Sequence, residues 1–200
     1  MSSALIAPEL EIFPNRYRWT VAECYAMAAE GRLIGRYEII DGEVIGKMGQ
    51  KPPHRAAIIY LQKWLLTIFN ILQIQSEAPI ALPDPEGIYS EPEPDVVVTR
   101  EPTSAYMKRQ PGPKDLVIVM EVSDTSLLAD LVVKARLYAR ASIREYWVLD
   151  LNARQMHIHR EPINGEYSNV TIHPETEMVS LIDYPDNAVI IADILPPFSE

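Results

Sequence analysis

Two apolar runs that each carry one carboxylate constrain this chain more than any other feature of its sequence. They are residues 94–98, which contain Asp95, and residues 119–123, which contain Glu121. Such runs indicate buried strands, in which an ionised carboxylate is costly unless a cation or a metal ion pairs with it. Two such acids on consecutive strands, followed by a helix that carries Lys134, predict an active site.

The alternation of side chains along a strand places both acids on defined faces. Asp95 shares a face with Val97, and on the next strand Glu121 shares a face with Val119 and Val117. If the two strands are neighbours, the carboxylates lie side by side at one edge of the sheet and repel each other unless a cation lies between them. Mg²⁺ or Mn²⁺ meets that need, and such an ion lowers the pKa of a bound water and stabilises charge on a phosphate.

Lys134 has two interpretations on spacing alone. The 3.6-residue period places it at the flank of the apolar stripe of its helix, from which its ammonium can reach the sheet edge and stabilise a transition state. Alternatively, it pairs with Asp130, four residues earlier, on the solvent face of the helix.

The composition is that of one ordinary soluble domain. The chain has 200 residues, of which 48% are apolar and 23% charged. It contains no apolar run of the roughly 18–20 residues that a membrane span needs. The N-terminus lacks the pattern of a secretory signal, and the single cysteine, Cys24, excludes an internal disulfide and a multi-cysteine metal cluster. We therefore expect a cytoplasmic protein without a membrane partner.

The net charge of −10 argues against non-specific coating of nucleic acid, because affinity for phosphates comes from Lys and Arg. It leaves open a nucleic-acid enzyme whose positive charge is local. Three basic clusters are candidates for such a surface, and each is otherwise a solvated face. They are Lys47, Lys51 and Arg55; Lys108, Arg109 and Lys114; and Arg136, Arg140 and Arg144.

The remaining patterns predict one α/β domain at residues 19–200 behind an N-terminal arm at residues 1–18. The predicted helices are residues 20–30, with a capping box of Thr20 and Glu23, and residues 54–74 and 126–141. The predicted strands are residues 76–82, 94–99, 115–122 and 144–150, and the predicted hairpins turn at Asp41-Gly42 and Asn164-Gly165. Residues 100–114 are expected to form a loop, and the tail after Ser180 is expected to be short and irregular.

Several segments, taken in this order, resemble the Uma2 family of restriction endonucleases, once catalogued as a domain of unknown function and abundant in cyanobacteria. They are residues 36–43, His54 and residues 94–98, 121–123, 134–139 and 145–150. Together they span about residues 20–160. The family is assigned to the PD-(D/E)xK nuclease fold.

This resemblance implies a restriction-endonuclease-like mixed β-sheet flanked by helices, with a phosphodiesterase centre that uses Mg²⁺ or Mn²⁺. Asp95 and Glu121 match the two acids of the motif, and the main-chain carbonyl of Val122 is implied as a further metal ligand. Ser123 stands at the usual lysine position, so Lys134 on the following helix takes the role of that lysine. DNA as substrate and a homodimer whose two sites cut both strands are also implied.

Five further residues are weighed against plainer interpretations. Glu38 and Glu43 flank the hairpin turn, where each either adds a carboxylate to the metal site or is solvated. His54, at the start of the long helix, either contacts phosphate or positions water, or is a polar group near a helix end. His157 and His159 alternate on one strand face without a third ligand, which argues against a zinc site.

We therefore predict a Mg²⁺-dependent endonuclease in which Asp95 and Glu121 bind the metal, while Lys134 and His54 assist the attacking water. Two alternatives remain open. The loop at residues 123–129 departs from the Ser-Pro-Ser-Thr run and charged stretch common in similar sequences. With the acidic net charge, this suggests an inactive nuclease-fold protein that binds nucleic acid or a partner protein. The same trio of acids and lysine also suits a hydrolase of another phosphate ester.

Overall fold

The N-terminal part of the structure consists of a capped helix and a hairpin. The structure is a computed structural model that describes residues 16–47 and 49–197, so most of the predicted N-terminal arm lies outside the described residues. Helix α1 (Val21–Ala29) begins at the predicted capping box, in which the Glu23 N–H donates to Thr20 Oγ1 at 3.2 Å. Strands β1 (Tyr37–Ile40) and β2 (Glu43–Gly46) form the predicted hairpin, with the two residues of its turn at positive φ.

Helix α2 spans Pro52–Leu65 and is therefore shorter than the predicted helix at residues 54–74. Beyond it, the side chain of Asn70 accepts the N–H of Leu72 at 2.9 Å and caps a 3₁₀ turn, Ile71–Gln73. A side-chain acceptor of this kind competes with helical hydrogen bonding. Residues 70–73 therefore form a turn, although their apolar residues continue the spacing of a helix.

The predicted strand at residues 76–82 is also wrong, since strand β3 covers only Ile74–Gln75. Residues 76–82 form a loop that contains Pro79, which has no N–H to donate to a ladder. This loop and the single-turn helix α3 (Glu86–Tyr89) lead into the central sheet.

Six strands form the central mixed sheet, in the order β3-β4-β5-β6-β7-β8. After β3 they are β4 (Val96–Thr99), β5 (Leu116–Ser123), β6 (Glu145–Asp150), β7 (Gln155–Ile163) and β8 (Glu166–Pro174). The pair β5–β6 is parallel and the other neighbouring pairs are antiparallel. The two acid-bearing strands are therefore neighbours, and the predicted hairpin at residues 164–165 joins β7 to β8.

Both faces of this sheet are covered, which explains the continuous apolar runs of β5 and β6. Helix α2 packs on one face through Leu61 and Leu65. The helix between β5 and β6 covers the other face; it contains a π-helical stretch, Ala129–Lys134, that continues as α4 (Ala135–Arg140). Among the described residues, no helix is both long and apolar enough to cross a membrane.

A β-bulge moves one residue to the face opposite the predicted one. Val98 pairs with Ile118 and Thr99 pairs with Leu116, which leaves Val117 as the extra residue of β5. Val117 therefore packs on the α2 face of the sheet, while Val119 packs on the α4 face.

The chain after residue 180 is ordered into strands, so the prediction of an irregular tail is wrong. Strands β9 (Met178–Leu181) and β10 (Tyr184–Ile190) form a two-stranded sheet, and a 3₁₀ turn follows at Ile191–Ile194. This segment completes the core on the α2 face by burying Val179, Leu181 and Val189. The strands of this segment are too short, and contain too few apolar residues, for alternation alone to reveal them.

Candidate active site

The two predicted acids lie where β4 begins and β5 ends. Val96 pairs with Met120, so Asp95 and Glu121 follow one step further along the same antiparallel register. The main-chain N–H of Asp95 donates to Glu121 Oε2 at 3.3 Å. Both residues are buried, with 8% and 3% of their surface exposed. The ladder thus brings two carboxylates together at one edge of the sheet.

Lys134 reaches this edge from the π-helical stretch. Its Nζ donates to Glu121 Oε1 at 2.9 Å, lies 3.0 Å from Glu38 Oε1 and lies 3.9 Å from Asp130 Oδ1. Asp130 is itself buried, so the interpretation of a Lys134–Asp130 pair on the solvent face is wrong. Hydrogen bonds from i to i+5 widen a π-helical turn, so side chains here point in directions that the 3.6-residue period does not predict.

Asp130 belongs to the site, although its position in the sequence pointed to solvent. The hydroxyls of Ser123 and Ser126 both donate to Asp130 Oδ2 at 2.6 Å. The hydroxyl of Tyr146 donates to the main-chain carbonyl of Asp130 at 3.1 Å. Ser123, which stands at the usual lysine position of the motif, therefore links the end of β5 to the helix that carries Lys134.

Tyr138 also belongs to the site, although the sequence analysis does not single it out. It is fully buried, and its hydroxyl donates to Glu121 Oε1 at 3.2 Å. Its position four residues after Lys134 is a sequence signal that could have indicated its place beside the cluster. Because Oε1 accepts from both Tyr138 and Lys134, the other oxygen of Glu121, Oε2, is the one that faces Asp95.

His54 enters the site from the first turn of α2. Its Nε2 lies 3.2 Å from Asp95 Oδ2, which also accepts the main-chain N–H of Val122 at 2.8 Å. The other ring nitrogen, Nδ1, is buried and has no hydrogen-bond partner in the part of the chain that the structure describes. The protein donors to Asp95 thus converge on Oδ2 and leave Oδ1 for another partner.

The environment shifts the pKa values of the acids in different directions. Burial raises the pKa of Glu121 well above its usual range, although the charge of Lys134 opposes the shift. Burial also raises the pKa of Asp130 against the same charge. Burial acts in this direction on Asp95 too, but the hydrogen bond and charge of His54 outweigh it and lower the pKa of Asp95.

The two bases keep their protons more firmly than they do in water. Burial alone would lower the pKa of Lys134, but the surrounding carboxylates, Glu121 foremost, outweigh it and raise the pKa. Burial likewise opposes protonation of His54, whose pKa is nevertheless raised by the hydrogen bond and charge of Asp95. Lys134 is therefore a permanent cation of the site.

The site contains more acids than bases, which suits a divalent cation. Four buried carboxylates surround the buried ammonium of Lys134, and a protonated His54 adds one more positive charge, so full ionisation leaves at least two negative charges uncompensated. Such an excess is relieved either by protonation or by a bound cation. The described residues hold no group of three or more His, Cys, Asp or Glu side chains arranged around a metal position. An ion with few protein ligands and several waters, such as Mg²⁺, is the kind that fits this donor set.

A cleft of about 280 Å³ opens above the cluster. Its rim carries Lys51, which pairs with Asp124 at 2.8 Å, and Lys47, which lies 3.6 Å from a carboxylate oxygen of Glu93. Glu43 is outside the cleft and pairs with Arg16 on the surface, so the solvated interpretation holds for it. Asp95, Glu121, Lys134, His54, Val122 and Glu38 all line this cleft.

The fold and this site together define a restriction-endonuclease-like α/β protein, with a mixed sheet that presents paired acids at one edge. Among solved structures, the chain is similar to one described as "a putative nuclease belonging to DUF820 from Anabaena variabilis ATCC 29413". The TM-score is 0.59 and the identity 12%, over 84% of this chain and 96% of that one. At this identity the likeness concerns the fold alone.

The chain belongs to the Uma2 family, whose model, described as "Putative restriction endonuclease", matches residues 22–190. The match covers most of the chain, including every residue of the cluster. A search of proteins with curated functions found no match. Family membership and the fold together support a nuclease.

Proposed function

We propose that this protein is an endonuclease that hydrolyses DNA phosphodiester bonds in the cleft above Asp95 and Glu121. The observation that carries the proposal is the buried cluster at the sheet edge, in which Lys134 Nζ lies 2.9 Å from Glu121, whose Oε2 accepts the main-chain N–H of Asp95. Membership of the Uma2 family supports the reaction class.

Asp95 and Glu121 are proposed to hold Mg²⁺ or Mn²⁺, with the main-chain carbonyl of Val122 as a further ligand. Protein donors converge on Asp95 Oδ2 and Glu121 Oε1, and Glu121 Oε2 accepts the main-chain N–H of Asp95. Among the described residues Asp95 Oδ1 has no donor, so an ion would bind there and share Glu121 Oε2 with that N–H. The excess of buried negative charge supports the same assignment. A divalent ion bound here would lower the pKa of a water molecule and stabilise negative charge on a phosphate.

Lys134 is assigned the stabilisation of charge that builds on the phosphate. Because the surrounding carboxylates raise its pKa, it keeps its proton and acts as a fixed donor rather than as a base. The cost of burying this ammonium is already met in the folded protein by Glu121 and Glu38. It needs no reorganisation when substrate enters.

His54 is assigned two tasks in this scheme. Its Nε2 holds Asp95 Oδ2, which fixes the orientation of that carboxylate. Its Nδ1 is buried and lacks a hydrogen-bond partner among the described residues, so contact with a water molecule or a phosphate oxygen would require the ring to move. The hydrogen bond and charge of Asp95 raise the pKa of His54 against its burial, which favours the protonated ring and suits contact with an anion.

The substrate path is proposed to run over Lys47 and Lys51 at the rim of the cleft. Both ammonium groups face carboxylates, Glu93 and Asp124, so DNA phosphates would exchange places with these acids. We further propose a homodimer, whose two centres would allow both strands of a duplex to be cut.

The two alternatives differ in the support that the structure offers. The loop at residues 123–129 suggested an inactive relative, but its two serines hold Asp130 and its Asp124 pairs with Lys51, which favours an intact centre. The small cleft and the net charge of −10 favour a smaller phosphate ester as the second candidate substrate.

Calorimetric titration of Mn²⁺ combined with plasmid nicking on the same samples tests the proposal. Wild type and the control variant Glu43→Gln should bind and nick alike, because Glu43 lies outside the cleft. Glu121→Gln should bind Mn²⁺ about 100-fold more weakly or worse and should not nick. Binding without nicking in wild type would favour the second candidate substrate, and absence of specific binding would overturn a metal nuclease.

A further inference from the structure

Glu38 is the acid of the cluster that comes from the N-terminal hairpin. It lies on β1 and is 7% exposed. Its Oε1 is 3.0 Å from Lys134 Nζ, and its Oε2 accepts the main-chain N–H of Glu93 at 3.2 Å. One oxygen therefore faces the lysine, while the other is anchored to the segment that leads into Asp95.

Lys134 has a second carboxylate close by, at almost the same distance. Glu121 Oε1 lies at 2.9 Å, but it also accepts the Tyr138 hydroxyl, and Glu121 is one of the two acids assigned to the metal. A cation bound to Glu121 would draw on the same negative charge that attracts the ammonium. Glu38 is not assigned to the metal, and among the described residues its side chain contacts the lysine and a main-chain N–H.

We propose that Glu38 is a positioning residue that keeps Lys134 in the cleft when Glu121 binds metal, and that it is not itself a metal ligand. This inference rests on the proposed function for its catalytic consequence, but not for the Glu38–Lys134 contact. This role explains why the hairpin of β1 and β2 contributes a buried acid to the site. Asp130, at 3.9 Å from the ammonium, is a weaker partner of the same kind.

The test compares Glu38→Gln with Glu43→Gln, which removes a charge from the other strand of the same hairpin. Two readouts are independent of nuclease activity: the Mn²⁺ affinity, from calorimetry, and the rate at which acetic anhydride acetylates Lys134 in the folded full-length chain, from peptide mass spectrometry. Loss of the carboxylate that holds the ammonium in the cleft frees the lysine side chain, so Lys134 should be acetylated severalfold faster in Glu38→Gln. Mn²⁺ affinity should stay within about threefold, since a lost ligand costs much more.

For nicking, we expect kcat to fall about tenfold while KM for DNA is unchanged, because the misplaced group acts on the transition state. Glu38→Asp keeps the charge on a shorter side chain and should restore slow acetylation in part; it carries the test if Glu38→Gln does not fold. Mn²⁺ binding weakened tenfold or more in either variant would make Glu38 a metal ligand and overturn the proposal. Unchanged acetylation of Lys134 would overturn it too, whereas absence of nicking in wild type would count only against the nuclease activity.

Discussion

Replacing Lys134 with Met removes the ammonium that lies 2.9 Å from Glu121 and 3.0 Å from Glu38, and it keeps an unbranched chain of similar length. The lysine side chain is 10% exposed and the two acids are more deeply buried, so these are not surface ion pairs. Removing one partner of a buried pair costs about 3–5 kcal/mol, because the remaining carboxylates are left uncompensated. At about 2–4 °C per kcal/mol for a chain of this size, we expect Tm to fall by about 6–20 °C at pH 8.

The loss should depend on pH, because the carboxylates left behind can escape by protonation. Burial raises the pKa of Glu121 above its ordinary 4.5, and Lys134 holds that shift back. The variant raises this pKa further. A group whose pKa is raised by folding contributes stability that is complete below its unfolded pKa and is lost as the pH rises through its folded pKa. The deficit of Lys134→Met should therefore be smaller at pH 5 than at pH 8.

Urea unfolding at pH 5 and pH 8, in the presence of a chelator, measures this difference. Lys51→Met is the matched control, because Lys51 is 62% exposed in its pair with Asp124, and removing it should cost no more than about 1 kcal/mol. A Lys134→Met deficit below about 1 kcal/mol at pH 8, or one that is equal at both pH values, would refute the reasoning. It would mean that the native carboxylates are compensated by something other than this ammonium.

Two further substitutions test the site and the hairpin. His54→Gln removes the ring that lowers the pKa of Asp95. The stability that comes from the raised pKa of His54 is complete below pH 6.5 and is lost as the pH rises through the pKa of the folded protein. The stability that comes from the lowered pKa of Asp95 is present above pH 3.8 and is lost as the pH falls through the pKa of the folded protein. The deficit of His54→Gln in urea unfolding should therefore be largest between these values and shrink towards pH 8; a flat profile would contradict the pairing. Gly42→Ala should cost more than about 1 kcal/mol by the same assay, because Gly42 has φ +82° and an added Cβ would lie 2.6 Å from Arg18 Cβ. Gly46→Ala meets nothing within 4 Å and should stay within about 0.5 kcal/mol.

The elements that the sequence predicts correctly depend on neighbours along the chain. The Asp41-Gly42 and Asn164-Gly165 turns fix two hairpins because their residues adopt positive φ. The apolar runs of β5 and β6 mark strands covered on both faces, whatever covers them. The failures lie where distant contacts decide: β9 and β10 exist because Val179 and Leu181 complete a core built mainly by earlier elements.

The candidate site also has one part that the sequence predicts and another that only tertiary contacts decide. Asp95 and Glu121 are visible in the sequence because each is a charged exception in an apolar strand, and such an exception requires a partner. The partners themselves come from tertiary structure. Helical periodicity left Lys134 between the sheet edge and a solvent-facing pair with Asp130, and the π-helical stretch, in which both residues are buried, turns them towards the sheet. Glu38 reaches the same ammonium from a hairpin almost a hundred residues away in sequence, and only the packing of that hairpin against the segment before β4 places it there. The sequence by itself thus determined that two buried acids need compensation, and the fold decided which groups provide it, because compensation of buried charge depends on distance in space.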